Sequence, residues 1–321
     1  MKALVSFCLK AYNQKSFVGE ALEGAFAQTY RPLEIVVCDD HSTDGTWELL
    51  VEKAEAWRRA NRDPDVTLVL HRNERNLGNC KNWEMCGKLA HGELLIKADG
   101  DDVSLPERTV RIVEAWDKDG GEAKVVSHGC EVIDVRGRAL GVRNDIDVRR
   151  PHGACMAWSR ECFVGWPEVR TRFAYDDIVY SFRARLLGGE TVLPDRLVRY
   201  RAGSGDTSVA GEYRGPLTRR CRGFLDAIPQ CRRDLEAARE RGCGAAPEIE
   251  CELDELERIN GAWIDILEGR TLWHRAAGAR RVWRHHGFRG HVLILLLILP
   301  GRAGDIVVNL LLRRKNGGVR A

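Results

Sequence analysis

The chain has 321 residues, 44% of them hydrophobic and 30% charged, with a formal net charge of +3. This is ordinary globular composition, so a largely disordered chain is excluded, and the charge balance calls for no nucleic acid or other polyanion as a partner. Eleven cysteines run singly from Cys8 to Cys251 without a C-x-x-C pair or a histidine at zinc spacing, which excludes a zinc ribbon and a disulfide framework and points to reduced thiols in a cytoplasmic protein.

Met1 to Leu9 turns apolar almost at once, so no secretory leader is expected, and Ala3 to Leu9 reads as a buried strand. The polar stretch from Lys10 to Lys15 follows, then a helix from about Phe17 to Gln28, Pro32, and a strand from Leu33 to Cys38. Trp47, Leu50, Val51, Ala54 and Trp57 recur at helical spacing until Asp63-Pro64, and Val66 to Leu70 is the next strand. Asn76-Leu77-Gly78 opens a helix from Asn79 to about Ala90, and Leu94 to Ala98 is again strand-like. Strand and helix thus alternate, which predicts an α/β fold with a mostly parallel central sheet flanked by helices and a ligand site beyond the carboxyl ends of the strands. Lys10 to Asn13, Asp39 to Asp44 and Asp99 to Asp102 all fall at such ends.

A helix from Pro106 to about Asp117, strand-rich sequence from Val125 to Ile133, a helix from Asp176-Asp177 to Gly188-Gly189 and a strand from Thr191 to Tyr200 complete the first part. Ala202 to Gly215 reads as a linker or mobile loop. From Pro216 the sequence is helical and heavily charged; Pro229 is expected to break one helix and Ala246-Pro247 to start another. The division expected is 1–215 as the catalytic domain and 216–321 as a helical C-terminal extension.

Lys97-Ala98-Asp99-Gly100-Asp101-Asp102 is the most specific signal. At an extended strand end Asp99 and Asp101 point to one side while Gly100 permits a tight bend, and carboxylates with a diphosphate make a shell for Mg²⁺ or Mn²⁺. An isolated acidic turn is the plainer reading, and the position after a buried strand favours the metal. Asp39 and Asp40 are placed to accept from a nucleobase N–H or a ribose hydroxyl, whereas Asp44 equally suits a helix cap. Tyr12 is either a core aromatic or a stacking face for a base.

Val5-Ser6 through Tyr12-Asn13, Gln28-Thr29-Tyr30, Glu34 through Thr46, Asn76-Leu77-Gly78, Lys81-Asn82, Gly92-Glu93 and Asp99-Gly100-Asp101-Asp102 together resemble the family 2 glycosyltransferases with the GT-A fold, over roughly the first two-thirds of the chain. The resemblance implies that Tyr12, Asp39 and Asp40 surround the donor nucleoside, that Lys81 reaches the base or diphosphate, and that Asp99 and Asp101 form the D-x-D element, with Asp101 the better metal ligand. Tyr175-Asp176-Asp177-Ile178 is similar to the family's Glu-Asp pair, which makes Asp177 the base for the acceptor hydroxyl; Asp176 is alternatively a helix cap. Arg199 or Arg201 resembles the terminal Tyr-Arg element and would neutralise the leaving diphosphate, though Ala202-Gly203-Ser204 stands where many members carry a histidine.

The implied activity is inverting transfer of a sugar from a UDP-, GDP- or dTDP-sugar to a glycan or lipid-linked acceptor with a divalent metal, in surface polysaccharide or glycolipid assembly. The alternative is a catalytically silent nucleotide-sugar binder of the same fold; a nucleotidyltransferase would need a glycine-rich phosphate loop that Lys10 to Asn13 does not provide. The end of the chain is basic and apolar, and the run from His291 to Leu299 meets Pro300 after about half the ~20 residues a spanning helix needs. Residues 280–315 are therefore expected either to lie on the inner face of the cell membrane or to pack on protein.

Overall fold

The computed structural model describes residues 2–118, 120–147, 151–171, 175–204, 214–243, 248–269 and 271–283. The chain divides into two compact units, one of residues 1–204 with 233–245 and one of residues 205–232 with 246–321.

The first unit is built on β1 (Val5–Ala11) and β2 (Leu33–Asp39), whose every residue is buried. Strands covered on both faces need apolar residues at successive positions, which is what Val5-Ser6-Phe7-Cys8-Leu9 and Leu33-Glu34-Ile35-Val36-Val37 supply. The polar exceptions satisfy each other. Ser6 donates to Glu34 at 2.6 Å, and the Glu34 carboxylate also accepts from the backbone of His91 at 2.8 Å.

Helix α1 (Val18–Phe26) leads to β2, and α2 (Thr46–Ala60) leads to β3 (Val66–Arg72). Helix α3 (Asn79–Leu89) leads to β4 (Leu94–Asp99), and β1 pairs parallel with both β2 and β4, as β2 does with β3. These elements follow the sequence expectation to within two or three residues.

Beyond β4 the sheet becomes mixed. After β5 (Val103–Ser104) and α4 (Arg108–Lys118) come β6 (Val125–Ile133), β7 (Ala139–Arg143) and β8 (Met156–Ser159). Helix α5 (Asp176–Leu187) and β9 (Glu190–Arg201) complete the unit, and among the described residues the order is β3-β2-β1-β4-β8-β6-β9-β5 with β7 beside β6. Strand β8 runs antiparallel between β4 and β6, so the parallel pairing expected from sequence holds through β3-β2-β1-β4 and again at β6-β9, with antiparallel pairs between and beside them. Four residues are too few for a periodic signal, and β8 is held instead by burial of Trp158 against Trp83 of α3, ring centroids 5.7 Å apart.

Helix α6 (Arg214–Glu240) runs through Pro229, where the sequence predicts a break. A helix-interior proline costs about 3 kcal/mol, and burial of Ile228, Cys231, Leu235 and Ala238 around it outweighs that cost. Helices α7 (Glu248–Glu268) and α8 (Leu272–Val282) follow, and Trp263, Ile266 and Leu267 cluster with Ala279 and Val282.

Candidate active site

The carboxyl end of β1 gathers the loops. The Asp40 N–H donates to the Ala11 carbonyl at 2.9 Å, and the Gly100 N–H donates to the Lys10 carbonyl at 3.0 Å, so the loops after β2 and β4 are bonded to adjacent residues of β1. Gly100 has no room for a side chain: a Cβ there would stand 2.5 Å from Gln14 Oε1. The bend expected from sequence is present, with the Asp102 N–H donating to the Asp99 carbonyl at 3.1 Å, and the close approach adds a second requirement for glycine.

Two lysines bind the acidic loops into one body. Lys10 Nζ lies 3.1 Å from Asp99 Oδ1 and 2.8 Å from Asp176 Oδ2, while Lys97 Nζ lies 2.9 Å from Asp99 Oδ2 and 3.3 Å from Asp176 Oδ1. The result is an alternating quartet of charges. Burial opposes ionisation of Asp99, but Lys10 and Lys97 hold its carboxyl well below the usual range. Burial likewise disfavours charge on Lys10, and Asp176 and Asp99 overcome it. Lys10 also donates to Asn79 at the start of α3. Asp176 is thus not merely a helix cap; it is a buried anchor that ties α5 to β1 and β4.

Asp177, next to it, is poised differently. Its Oδ2 accepts from the Gly153 N–H at 3.0 Å, and among the described residues its Oδ1 receives no hydrogen bond. Burial, then the Asp176 charge, pushes its carboxyl up to about 6. Gly153 can supply that N–H because it lacks a side chain; a Cβ would meet Lys97 Nζ and stand 3.3 Å from Asp176 Oδ1. Beside it the His152 ring packs edge-on against Tyr200, centroids 4.5 Å apart, and burial with the nearby Arg143 and Lys97 charges lowers its pKa to about 4.

Asp101 Oδ2 accepts from Ser204 Oγ at 2.8 Å. Burial and the charge of Asp99 raise its pKa, and burial with the charges of Asp101 and Asp99 raises that of Asp102 well above the usual range. Asp102 Oδ1 accepts from the Arg201 N–H at 2.8 Å, and its buried Oδ2 has no partner among the described residues. Asp101 and Asp102 therefore carry an unmet demand for positive charge, and hard oxygen donors of this kind fit Mg²⁺ or Mn²⁺. Asp101 is the carboxylate with room for such an ion; both Asp99 oxygens are held by lysines. No group of three or more His, Cys, Asp or Glu stands ready as a chelating set among the described residues, so donor phosphate oxygens would have to complete the shell.

The remaining expected residues are placed as follows. Asp39 accepts from the Ser42 hydroxyl at 2.5 Å and the Ser42 N–H at 3.0 Å, and Arg72 Nε lies 3.4 Å away. Asp40 accepts from Asn73 at 2.8 Å and from the N–H groups of Leu77 and Gly78 at 2.8 and 2.9 Å. Both aspartates shape the loops after β2 and β3. Asp44 accepts from the Thr46 N–H at 3.0 Å at the start of α2, the capping role that sequence allowed. Tyr12 is 44% exposed at the end of β1, which removes the core-aromatic reading, and Lys81 is half-buried in the first turn of α3.

Arg201 differs from expectation. It is buried, its guanidinium donates to the Asp101 carbonyl at 2.9 Å, the Val135 carbonyl at 3.3 Å and Glu20 at 2.9 Å, and it stacks over Phe17. A guanidinium so engaged holds the D-G-D-D loop. Arg199 pairs with Glu131 at 3.2 Å.

Sequence reasoning gave no role to Lys10, Lys97, Gly153 and Ser204. The signal for the lysines was present, because a lysine inside an otherwise apolar buried strand requires an acidic partner. Gly153 and Ser204 lie far along the chain from what they touch.

A parallel half-sheet with acidic loops at its carboxyl rim, continued by an antiparallel strand, is the architecture of the GT-A sugar-nucleotide transferases. The chain superimposes on the mannosyltransferase PcManGT of Pyrobaculum calidifontis, solved with GDP-Man and Mn²⁺, with a TM-score of 0.57 and 20% identity over 97% of this chain and 88% of that one. It superimposes on residues 1–349 of S. aureus TarS, solved with UDP-GlcNAc, with a TM-score of 0.51 and 18% identity over 98% and 92% of the two chains. Residues 6–141 match the family described as Glycosyl transferase family 2. It is 32% identical over 99 residues to the Escherichia coli UDP-Glc:α-D-GlcNAc-diphosphoundecaprenol β-1,3-glucosyltransferase WfaP, covering 31% of this chain and 36% of WfaP. It is 28% identical over 138 residues to the abequosyltransferase RfbV of Salmonella typhimurium, covering 41% and 39%. The alignments span less than half the length of these curated relatives.

Proposed function

We propose that this protein is an inverting glycosyltransferase that moves a sugar from a nucleoside-diphosphate donor to an acceptor hydroxyl in surface polysaccharide or glycolipid assembly. The observation that carries the reading is the convergence of Asp40, the D-G-D-D loop and Asp176-Asp177 on the end of β1 through Lys10 and two backbone hydrogen bonds. Residues 1–215 form the catalytic domain in this reading and 216–321 the extension.

The donor nucleoside lies against Tyr12 in the loops that Asp39 and Asp40 shape, with Lys81 reaching the base or diphosphate. Asp101 holds the divalent ion, which when bound supplies positive charge to the departing diphosphate. Asp99 acts at one remove, fixing Lys10 and Lys97. Arg201 positions Asp101 and does not touch the phosphates. The acceptor oxygen bonds to the anomeric carbon as the bond from that carbon to the diphosphate oxygen breaks, and its proton passes to Asp177. The Gly153 N–H holds one oxygen of Asp177 and leaves Oδ1 for the acceptor. Asp176, locked by the lysines, keeps a second negative charge beside that base and so raises its affinity for the proton.

The test is a thermal-shift screen of nucleoside diphosphates and their sugars with and without Mn²⁺. A donor present at 100 times its Kd stabilises by about 2.7 kcal/mol. Asp101→Asn is expected to remove the Mn²⁺-dependent part of that shift and leave the metal-free part. No shift from any nucleotide would refute the reading.

The rate should also depend on pH with a defined sign. Asp177 must be ionised to accept a proton, and with a pKa of about 6 it is protonated below that value. At saturating metal and donor, kcat/KM is expected to be level above pH 7 and to fall about tenfold per unit well below pH 6. A profile level from pH 5 to 7 would remove Asp177 from the role.

No helix of the described residues is long and apolar enough to cross a membrane. The expected contact of 280–315 with the inner face of the cell membrane lies largely outside the described residues and is retained here as part of the proposal.

A further inference from the structure

Helix α8 has two unlike faces. Gly278, Ala279 and Val282 are buried toward α7, where a Cβ at Gly278 would stand 2.5 Å from the Ala262 carbonyl oxygen, so the two backbones touch. The opposite face is exposed: Trp273 is 86% and Leu272 59% accessible, and Ala276, Arg280 and Trp283 are exposed with them. At ~100° per residue these five positions fall within one arc of about a third of the helix circumference. Thr271 fixes the start of the helix by accepting from the His274 N–H, and Arg281 pairs with Asp265, which ties the far end of α8 to α7.

A tryptophan and a leucine side by side in water at the open end of a helix form an unpartnered apolar patch. Its surroundings select the occupant. From Gly269 to Gly304 the sequence holds seven arginines and no aspartate or glutamate. A second copy docked through this face would set Arg280 against its own equivalent across a twofold axis, which is repulsive. A neutral apolar protein surface offers Arg280 no opposite charge. Lipid phosphates answer both demands, because tryptophan and leucine enter the headgroup and upper acyl region while arginine remains with the phosphates.

The geometry points to the Leu272–Trp273–Ala276–Arg280 face of α8 as a docking surface for an anionic lipid bilayer. This deepens the membrane part of the preceding proposal by assigning it to named residues upstream of residue 284, and it stands apart from sugar transfer.

The experiment is co-sedimentation of the full chain with phosphatidylcholine vesicles, with and without phosphatidylglycerol. The protein is expected to pellet with the anionic vesicles alone, and to be released as salt shortens the reach of the arginines. Leu272→Ser with Trp273→Ser, and separately Arg280→Glu, should each lower partitioning about tenfold or more with unchanged melting temperature, since all three side chains are exposed. Equal binding to zwitterionic vesicles, no binding, or wild-type partitioning of the serine variant overturns the assignment. So does a dimer by light scattering that the serine variant converts to monomer without any vesicle binding. The nucleotide screen is unaffected by these variants, so failed vesicle binding leaves sugar transfer standing, and a failed nucleotide screen leaves the docking surface standing.

Discussion

Asp177→Asn is expected to lower kcat by about 10²–10⁴ while donor affinity stays within a few-fold of wild type. The substitution keeps the side-chain shape, and an asparagine oxygen can still accept from the Gly153 N–H at the position where Asp177 Oδ2 does, 3.0 Å away. What it loses is a lone pair basic enough to take the acceptor proton. The donor, in the proposed arrangement, is held by Tyr12, Lys81 and Asp101, none of which bonds to Asp177. A general base acts only as the new bond forms, so its removal appears in kcat and not in donor binding. Titration calorimetry with the nucleoside diphosphate and single-turnover transfer separate the two. Loss of nucleotide binding combined with undiminished transfer at saturating donor would show that the residue holds the donor instead.

Arg183→Met is expected to destabilise the first unit by about 3–5 kcal/mol and to lower its melting temperature by on the order of 10 °C. Arg183 lies on α5 with its guanidinium against the Asp234 carboxylate, Nε to Oδ2 2.8 Å and Nη2 to Oδ1 3.2 Å, both side chains almost fully buried. It also donates to the carbonyls of Cys162 and Pro167 and packs against Trp166 and Tyr180. Methionine fills much of the volume, but it takes the guanidinium away from the buried Asp234 carboxylate and its donors away from the Cys162 and Pro167 carbonyls, and that loss dominates. Adding Asp234→Leu should recover a substantial part, because two apolar residues can replace a buried ion pair at little net cost. Calorimetric scans of the single and double variants decide it; a single variant melting within about 2 °C of wild type would mean that the pair contributes little. Because α5 carries Asp176 and Asp177 in its first turn, the single variant should lose transfer on warming before donor binding.

The first half of the fold was legible because its elements are long and repeat regularly. The fully buried strands β1, β2 and β4 read as continuous apolar runs, α2 shows its buried positions at helical spacing, and Gly78 and Pro32 mark the joints. Strands β5 and β8 were not legible, since two and four residues carry no periodicity. Pro229 misled for a related reason: local chain preference assigns a break there, and burial of the neighbouring residues carries the helix through it.

The acids were legible as residue types at strand ends, and that much the sequence determined by itself: composition and spacing set the α/β alternation and brought Asp39, Asp40, Asp99 and Asp101 to the carboxyl ends of β2 and β4, the two strands that flank β1. Their division of labour was decided only by tertiary structure. Whether a carboxylate binds a cation, accepts a proton or holds a loop depends on which groups from distant parts of the chain occupy its oxygens. Lys10 and Lys97 take both oxygens of Asp99, Arg201 turns inward to the Asp101 carbonyl, and Gly153 faces Asp177 across 24 residues of chain. Those distances and the burial that raises Asp177 arise when the sheet closes, and no local pattern of residues encodes them.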